Sequence, residues 1–214
     1  MKKTWLVAVA LLGSSAYAGA FDDYFDAIRF DRPQVLVQLA QKGFDLNTRD
    51  EHFDPPIHQA LKQNSTQTAL MLAAREDVDI NAYNPNGETA LMLAAIRGDE
   101  AVFKAILARD PVINTGGWTV MHYVMSNPSE VGLRMAKALL ALEPDVDAPS
   151  PNRSTPLMMA AKYGSVEQVK WLLEHGADPT VRNEQGLSAM DFAKASDRGP
   201  HRALIQAFLR GWTP

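Results

Sequence analysis

A polar residue that precedes an extended link recurs along this chain at an almost constant spacing. Its copies are separated by 34, 33, 33 and 33 residues, and they are Asn47, Asn81, Asn114, Asp147 and Thr180. A period in this range is typical of repeat architectures, in which each unit is one supersecondary structure too small to bury its own apolar face. The period therefore predicts a stack of similar units rather than one globular core.

The clearest copy of the unit opens with a helix whose first residues are easily recognised. Thr155 is a typical N-cap residue, and Pro156 occupies the first helical position, where proline is tolerated. We expect Gly164 to end this helix in the left-handed conformation. In the second unit Asn64 stands at the corresponding place, and asparagine also tolerates that conformation.

A second helix follows at once in the same unit. Ser165 and Gln168 have the spacing of a capping box, and Gly176 is placed to end the helix after an apolar run. Helix, tight turn, helix and extended link together make the unit of about 33 residues.

These stretches, Thr155–Gly164 and Gly176–Thr180, resemble the ankyrin repeat, and degenerate copies occur from about Phe21 to Trp212. The resemblance implies an all-α ankyrin-repeat solenoid of about six helix-turn-helix units, with short β-hairpin-like fingers and atypical capping units at both ends. The units are expected in one domain, approximately at 21–49, 50–83, 84–114, 115–149, 150–182 and 183–214.

One of the five predicted fingers is shorter than the others. The helix-opening residues are Pro55, Thr89, Thr119, Thr155 and Ser188, and each follows the preceding link residue by eight positions, except Thr119, which follows Asn114 by five. The segment from Thr119 to Asp147 has 28 residues where its counterparts have 26 or 25, and we place the extra residues around Asn127–Val131. The sequence therefore predicts a notch at the third finger.

The first 20 residues have the pattern of a secretory signal peptide. Lys2 and Lys3 precede a short apolar run, and small residues offer a cleavage site after Ala18 or, alternatively, after Ala20. The apolar run is too short to span a membrane, and the chain has no cysteine for a lipid anchor. We therefore expect an exported protein, located in the periplasm of a Gram-negative bacterium or secreted.

Composition excludes several classes of partner and chemistry. Without the two lysines of the signal peptide the chain has 19 basic and 25 acidic residues, which opposes general affinity for nucleic acid or anionic membranes. The absence of cysteine excludes thiol catalysis, disulfides and thiolate metal sites. No cofactor-binding motif is present, so we expect no cofactor.

The histidines do not suggest an enzyme. His58 and His122 occupy the position where ankyrin repeats commonly carry a histidine that bonds locally and ties neighbouring units, and neither has a metal-ligand spacing to another His or Glu. We interpret both as structural, and most methionines as core residues. His201 and the arginines near it are expected to face water on the last helix.

The resemblance also implies a binding surface made of the finger tips and the exposed side of each first helix. Transferred by position, its candidate residues are Asp50, Glu51, His52, Asn84, Asn86, Gly116, Trp118, Tyr123, Asn152, Arg153, Met159, Tyr163, Glu184 and Gln185. Trp118 and Tyr123 flank the predicted notch, and they are either interface anchors or packing residues.

These observations favour a monomeric, exported, non-enzymatic module that binds and modulates another protein through its concave face. Three alternatives remain open: an immunity protein that inhibits a toxin enzyme, a secreted effector that binds a host protein, and a small hydrolase or metal-binding protein on the same scaffold. Fold-level resemblance does not choose among them.

Overall fold

The computed structural model of this chain describes residues 14–211, with side chains from residue 19 onward, and it is all-α as predicted. Twelve α-helices in this range form six consecutive pairs: α1 Ser14–Arg29, α2 Pro33–Gln41, α3 Pro56–Gln63, α4 Thr66–Ala73, α5 Ala90–Arg97, α6 Glu100–Leu107, α7 Val120–Met125, α8 Glu130–Leu139, α9 Pro156–Tyr163, α10 Val166–Glu174, α11 Ala189–Ala195 and α12 Gly199–Gly211. Most of the predicted signal peptide lies outside the described residues, and both predicted cleavage positions fall inside α1.

The helix pairs stack into a solenoid with one continuous core. Each first helix packs against the first helix of the next unit, in the order α1, α3, α5, α7, α9 and α11. Small residues such as Ala94 and Ala160 are fully buried in these helices, which lets the helices approach closely. Leu36, Leu72 and Val124 belong to the same fully buried core, so no unit buries its apolar face alone.

The predicted caps of the fifth unit are confirmed. Thr155 Oγ1 accepts a hydrogen bond from the N–H of Met158 at 3.4 Å. Ser165 and Gln168 form the reciprocal capping box, with side-chain to backbone distances of 2.7 and 3.2 Å. Asn64 adopts the predicted left-handed conformation, with φ of 61°, and Gly176 lies at the predicted end of the second helix with φ of 89°.

Gly164 follows the end of the helix as predicted, but the prediction that it adopts the left-handed conformation is wrong. Gly164 has extended backbone angles, φ −75° and ψ −174°. A Cβ atom at this position would lie 2.7 Å from the carbonyl oxygen of Met125 and 2.8 Å from Gln168 Oε1. Glycine is therefore required because two units approach closely here, and not because the turn needs a positive φ.

The repeated link residues join each unit to the next. The first four of them accept a hydrogen bond from a backbone N–H about 31 residues later. These bonds run from Asp79 to Asn47 at 2.8 Å, from Val112 to Asn81 at 3.0 Å, from Asp145 to Asn114 at 3.3 Å and from Asp178 to Asp147 at 3.0 Å. This ladder explains why the link-entry position recurs with the most regular spacing.

The extra residues of the fourth unit lie elsewhere than predicted. The second helix begins 11 residues after the helix-opening residue in the fourth unit, at Glu130, as it does at Glu100 in the third. The additional length comes at the end of α8, which has 10 residues and continues into a 3-10 turn, Leu140–Leu142. The prediction around Asn127–Val131 is therefore wrong, because a longer second helix absorbs the extra residues.

The last helix is held to the preceding unit by side chains that were expected to face water. His201 is buried, and its Nε2 donates to the carbonyl oxygen of Gly164 at 3.1 Å. Arg198 donates to the same oxygen at 2.7 Å. These two bonds satisfy a carbonyl that the tight turn leaves free, so both residues close the end of the solenoid.

Candidate functional site

Four of the five fingers share one turn. In each, the N–H of the first turn residue donates to the carbonyl four residues later, and its carbonyl accepts from the N–H three residues later. These first residues are Asp50, Asn84, Ser150 and Asn183, with distances between 2.7 and 3.3 Å. The fourth residue of each turn has a positive φ, which the structure shows for Phe53, Gly87, Arg153 and Gly186.

The third finger has neither of these bonds within residues 14–211. Instead the hydroxyl of Thr115 donates to the carbonyl of Trp118 at 2.7 Å, and the N–H of Val120 donates to the carbonyl of Ile113 at 3.4 Å. The loss of three residues therefore removes the projecting turn, and the side chain of Trp118 lies next to the first helices. The predicted irregularity of the finger row is confirmed.

An apolar pocket of about 210 Å³ opens at this short finger. Its lining residues come from three consecutive units, and they are Ile96, Trp118, His122, Tyr123, Ser126 and Met159. The rings of Trp118 and His122 meet edge to face, with centroids 5.1 Å apart. The structure thus brings together three of the predicted surface residues, Trp118, Tyr123 and Met159, around one cavity.

The pocket wall is tied to the second finger through a carboxylate. The hydroxyl of Tyr123 donates to Glu88 Oε1 at 2.9 Å, and Asn84 Nδ2 donates to Glu88 Oε2 at 2.8 Å. Burial alone would raise the pKa of Glu88, but these hydrogen bonds to the charged form hold it below its usual value. Burial and the bond to Glu88 raise the pKa of Tyr123, so the phenol stays protonated and acts as the donor.

The structural interpretation of His122 is confirmed. Its Nε2 donates to the carbonyl of Ser154 in the next unit at 2.9 Å. Its Nδ1 therefore accepts, and it lies 3.1 Å from the N–H and 2.9 Å from Oγ1 of Thr119. Burial lowers the pKa of His122 to about 4 although the carbonyl of Ser154 opposes this, so the ring is neutral at physiological pH.

His58 has the same role, but only its Nε2 forms a hydrogen bond. Its Nε2 donates to the carbonyl of Glu88 at 2.8 Å, again in the next unit. Its Nδ1 has no hydrogen-bond partner among the described residues. Pro55 replaces the threonine found in the third to fifth units, and proline offers neither a hydroxyl nor an N–H. Both histidines therefore tie units together.

Two predicted surface residues are buried. Asn84 is only 5% exposed, and its Oδ1 accepts from the backbone N–H groups of Asn86 and Glu88. Met159 is 7% exposed and forms part of the lining of the pocket. The prediction that these two side chains lie on the open surface is wrong, because Asn84 stabilises its own finger turn and Met159 packs beneath the short finger.

The other predicted surface residues lie where the spacing placed them. Glu51, His52, Asn86, Gly116, Asn152, Arg153, Tyr163, Glu184 and Gln185 are exposed, and Asp50 is half-buried. Asp50, Glu51 and His52 also line a larger cleft of about 600 Å³ between the first finger, α1 and α3. The structure does not bring the tip residues of the other fingers into the pocket at the short finger.

Ile96 and Glu88 were missed by sequence reasoning. Ile96 is 40% exposed, at the position that Lys62, Ser126 and Lys162 occupy in other units. An isoleucine where the neighbouring units have polar residues was a usable signal. Glu88 had no such signal, because its role depends on a contact with Tyr123 35 residues later.

Neither a metal-binding group nor a membrane-spanning helix occurs in the described part of the chain. Residues 14–211 contain no group of three His, Asp or Glu side chains arranged to hold a metal ion. Within the same range, no helix combines the length and the apolar character needed to cross a lipid bilayer.

Family models match most of the chain. A model described as ankyrin repeats (3 copies) matches residues 25–116 and 57–148, and one described as ankyrin repeats (many copies) matches residues 133–193. The chain belongs to the ankyrin-repeat family. Ankyrin repeats are typically non-enzymatic scaffolds that bind other proteins, which agrees with the exposed row of fingers.

The curated relatives are much longer proteins that contain such repeats. The tyrosine-protein kinase Shark of Drosophila melanogaster is 30% identical over 193 residues, covering 87% of this chain and 20% of the kinase. The mitochondrial disaggregase of Bos taurus is 30% identical over 149 residues, covering 67% of this chain and 22% of the disaggregase. This chain therefore spans about a fifth of the length of these relatives, and the similarity concerns the repeats.

A solved structure has the same fold over most of the chain. It is a chain from the Bd0816 predatory endopeptidase of Bdellovibrio bacteriovorus in complex with the immunity protein Bd3460. The match has a TM-score of 0.73 and 22% identity, and it covers 86% of this chain and 97% of that chain. It establishes likeness of fold.

Proposed function

We propose that this protein is an exported ankyrin-repeat module that binds another protein across its concave face, with the pocket at the short third finger as the centre of the interface. The observation that carries the proposal is the exposed apolar pocket lined by Trp118, Tyr123 and Ile96 where the finger turn is missing. Aromatic side chains in such pockets commonly supply most of the binding energy of an interface. In this proposal the protein acts by binding and not by catalysis.

Lengthening the short finger is the most direct test of the pocket as the binding site. Inserting Ala-Asn-Pro after Thr115 restores the eight-residue spacing, places an asparagine at the first turn position and places Gly117 where the second finger has Gly87. The restored turn should cover the pocket without disturbing the stacked helices. Partner affinity should fall by at least tenfold while the melting temperature is kept, and unchanged affinity would reject the proposed site.

The partner can be captured from periplasmic extract with the tagged protein. The double variant Trp118→Ala with Tyr123→Ala should lose the captured protein, since hot-spot aromatics each cost about 2 kcal/mol or more when truncated. Phe30→Ala is the matched control, because Phe30 is a 53% exposed aromatic residue in the turn between α1 and α2, away from the fingers. Equal capture by the double variant and the control would move the interface away from the pocket.

Export is part of the proposal and has its own test. Expression of the full chain in a Gram-negative host should yield a periplasmic protein that begins at Gly19 or Phe21, as read by N-terminal sequencing. Retention of Met1 in a cytoplasmic fraction would contradict export. Recovery from the culture supernatant would instead favour the secreted effector.

The structural neighbour favours one second candidate, an immunity protein that inhibits an enzyme. The likeness concerns the fold, but the neighbour comes from a complex between an endopeptidase and an immunity protein. If the captured partner is an enzyme, adding this protein at equal concentration should abolish the partner's activity. Retained or increased activity would favour a supporting role over inhibition.

A further inference from the structure

Glu88 presents an oriented carboxylate directly beside the apolar pocket. It ends the second finger, and its two oxygens accept hydrogen bonds from Tyr123 at 2.9 Å and from Asn84 at 2.8 Å. Tyr123 is itself a wall of the pocket. The carboxylate is therefore oriented by neutral donors, which include the side chain of Asn86, and the four lone pairs of its two oxygens are not all used.

The charge of Glu88 has no counterion among residues 14–211. Two other carboxylates near the fingers are paired, Asp54 with Lys62 at 2.5 Å and Asp191 with Lys194 at 3.7 Å. His58 contacts only the backbone carbonyl of Glu88, and burial keeps that ring neutral. A half-buried charge without a counterion is poorly solvated, so it gains more from a cation than a fully exposed charge would.

We infer that the partner segment bound at this site carries one large apolar side chain next to an arginine or lysine. The apolar side chain fills the pocket of about 210 Å³ between Ile96, Trp118 and Met159. The cation pairs with Glu88 at the pocket edge, and an arginine can bridge both carboxylate oxygens. The inference rests on the function proposed above, because it specifies the chemistry of the partner at that same pocket.

The negative charge of this side of the concave face supports a basic partner segment. Asp50 and Glu51 lie on the first finger, next to the finger that carries Glu88, and they outnumber Arg49, which donates to the backbone carbonyls of Phe53 and Tyr83. The third finger contributes no charged residue. A segment with a cation directed toward the first two fingers therefore meets carboxylates, whereas an acidic segment would be repelled.

The probe for the test is a library of random 12-residue peptides displayed on phage and selected on the purified protein. A parallel selection on the Trp118→Ala, Tyr123→Ala double variant identifies the peptides that depend on the pocket. These should be enriched in Leu, Phe or Met adjacent to Arg or Lys. The affinity of one synthetic peptide, and of its Arg→Gln or Lys→Gln version, is then measured by fluorescence anisotropy.

Glu88→Gln is the deciding variant, and Glu76→Gln is its control, because Glu76 is exposed in the turn after α4 and undergoes the same chemical change. On the wild type and the control, neutralising the peptide's cation should weaken binding roughly tenfold, which is the lower end of the range for a hydrogen bond to a charged group. On Glu88→Gln the difference should fall below about twofold.

A measurement on the wild type alone guards against a variant that fails to fold. Raising the salt concentration from 0.05 to 0.5 M should shrink the advantage of the cationic peptide, because the pair is only half-buried. Pocket-dependent peptides without a basic residue, or a cation preference that survives in Glu88→Gln, would overturn this inference and leave the proposed function standing. If no selected peptide depends on Trp118 and Tyr123, both are overturned.

Discussion

Replacing Gly132 by alanine should destabilise the protein, although alanine is the better helix former. Gly132 is the third residue of α8 and is buried. Intrinsic propensity favours alanine over glycine inside a helix by about 1 kcal/mol. A Cβ at Gly132, however, would overlap the carbonyl oxygen of Asn127, and it would lie 2.8 Å from Gln168 Nε2 and 3.1 Å from the carbonyl oxygen of Val124.

The clash falls on the contact that joins the fourth and fifth units. Gln168 is fully buried, and its Nε2 donates to the carbonyls of Val124 at 3.0 Å and Asn127 at 2.9 Å. Overpacking costs about 1–3 kcal/mol, and weakening the two bonds to buried carbonyls adds about 1–3 kcal/mol. After subtracting the propensity gain, we expect the free energy of unfolding to fall by about 1–5 kcal/mol.

Urea unfolding followed by circular dichroism measures this change. Gly199→Ala in α12 is the matched control, because its Cβ would find only the flexible end of Arg202 at 3.9 Å, and it should leave stability unchanged or raise it slightly. Adding Gln168→Ala to Gly132→Ala should not restore stability, since the nearest clash is with backbone. A Gly132→Ala protein at least as stable as the wild type would refute this reasoning.

Two further predictions concern the contacts between units. Burial sets the pKa of His122 to about 4, below the unfolded value of 6.5, so the stability it contributes is present above pH 6.5 and is lost as the pH falls toward 4. By pH 5 the loss should be about 2 kcal/mol, and urea unfolding of His122→Asn should show a smaller pH dependence. Asn47→Ala removes bonds to two backbone groups of the next unit and should cost about 1–2 kcal/mol in urea unfolding. Asn114→Ala removes one longer bond of 3.3 Å and should cost about half as much. Equal costs would contradict the claim that these hydrogen bonds between units contribute to stability.

Much of the fold could be predicted because the repeat is defined by patterns among residues that are close in sequence. The capping box of Ser165 and Gln168 and the left-handed turn at Asn64 involve residues close in sequence, and both are confirmed. The loss of three residues before Thr119 was visible as a change of spacing. Its structural result, a finger without the common turn, followed from chain length alone.

The candidate site could be predicted only in part. Trp118 and Tyr123 were assigned to one notch because they lie near the short finger, and the structure places both on one pocket. Asn84 and Met159 were assigned to the surface by position, but both are buried. Position in a repeat indicates which side of the solenoid a residue faces, whereas its exposure depends on what the neighbouring unit packs over it.

Sequence by itself determined the period of the solenoid, the helix starts and the turn residues, because caps and turns are made by residues fewer than five positions apart. Tertiary structure alone decided that Gly132 and Gly164 are needed for close approach, that the extra residues extend α8, and that Glu88 meets Tyr123. The contacts of Gly132 with Gln168, of Gly164 with Met125 and of Glu88 with Tyr123 join residues 35 or more positions apart along the chain, and their distances follow from how each unit packs on the next. The repeat pattern of the sequence does not specify those distances.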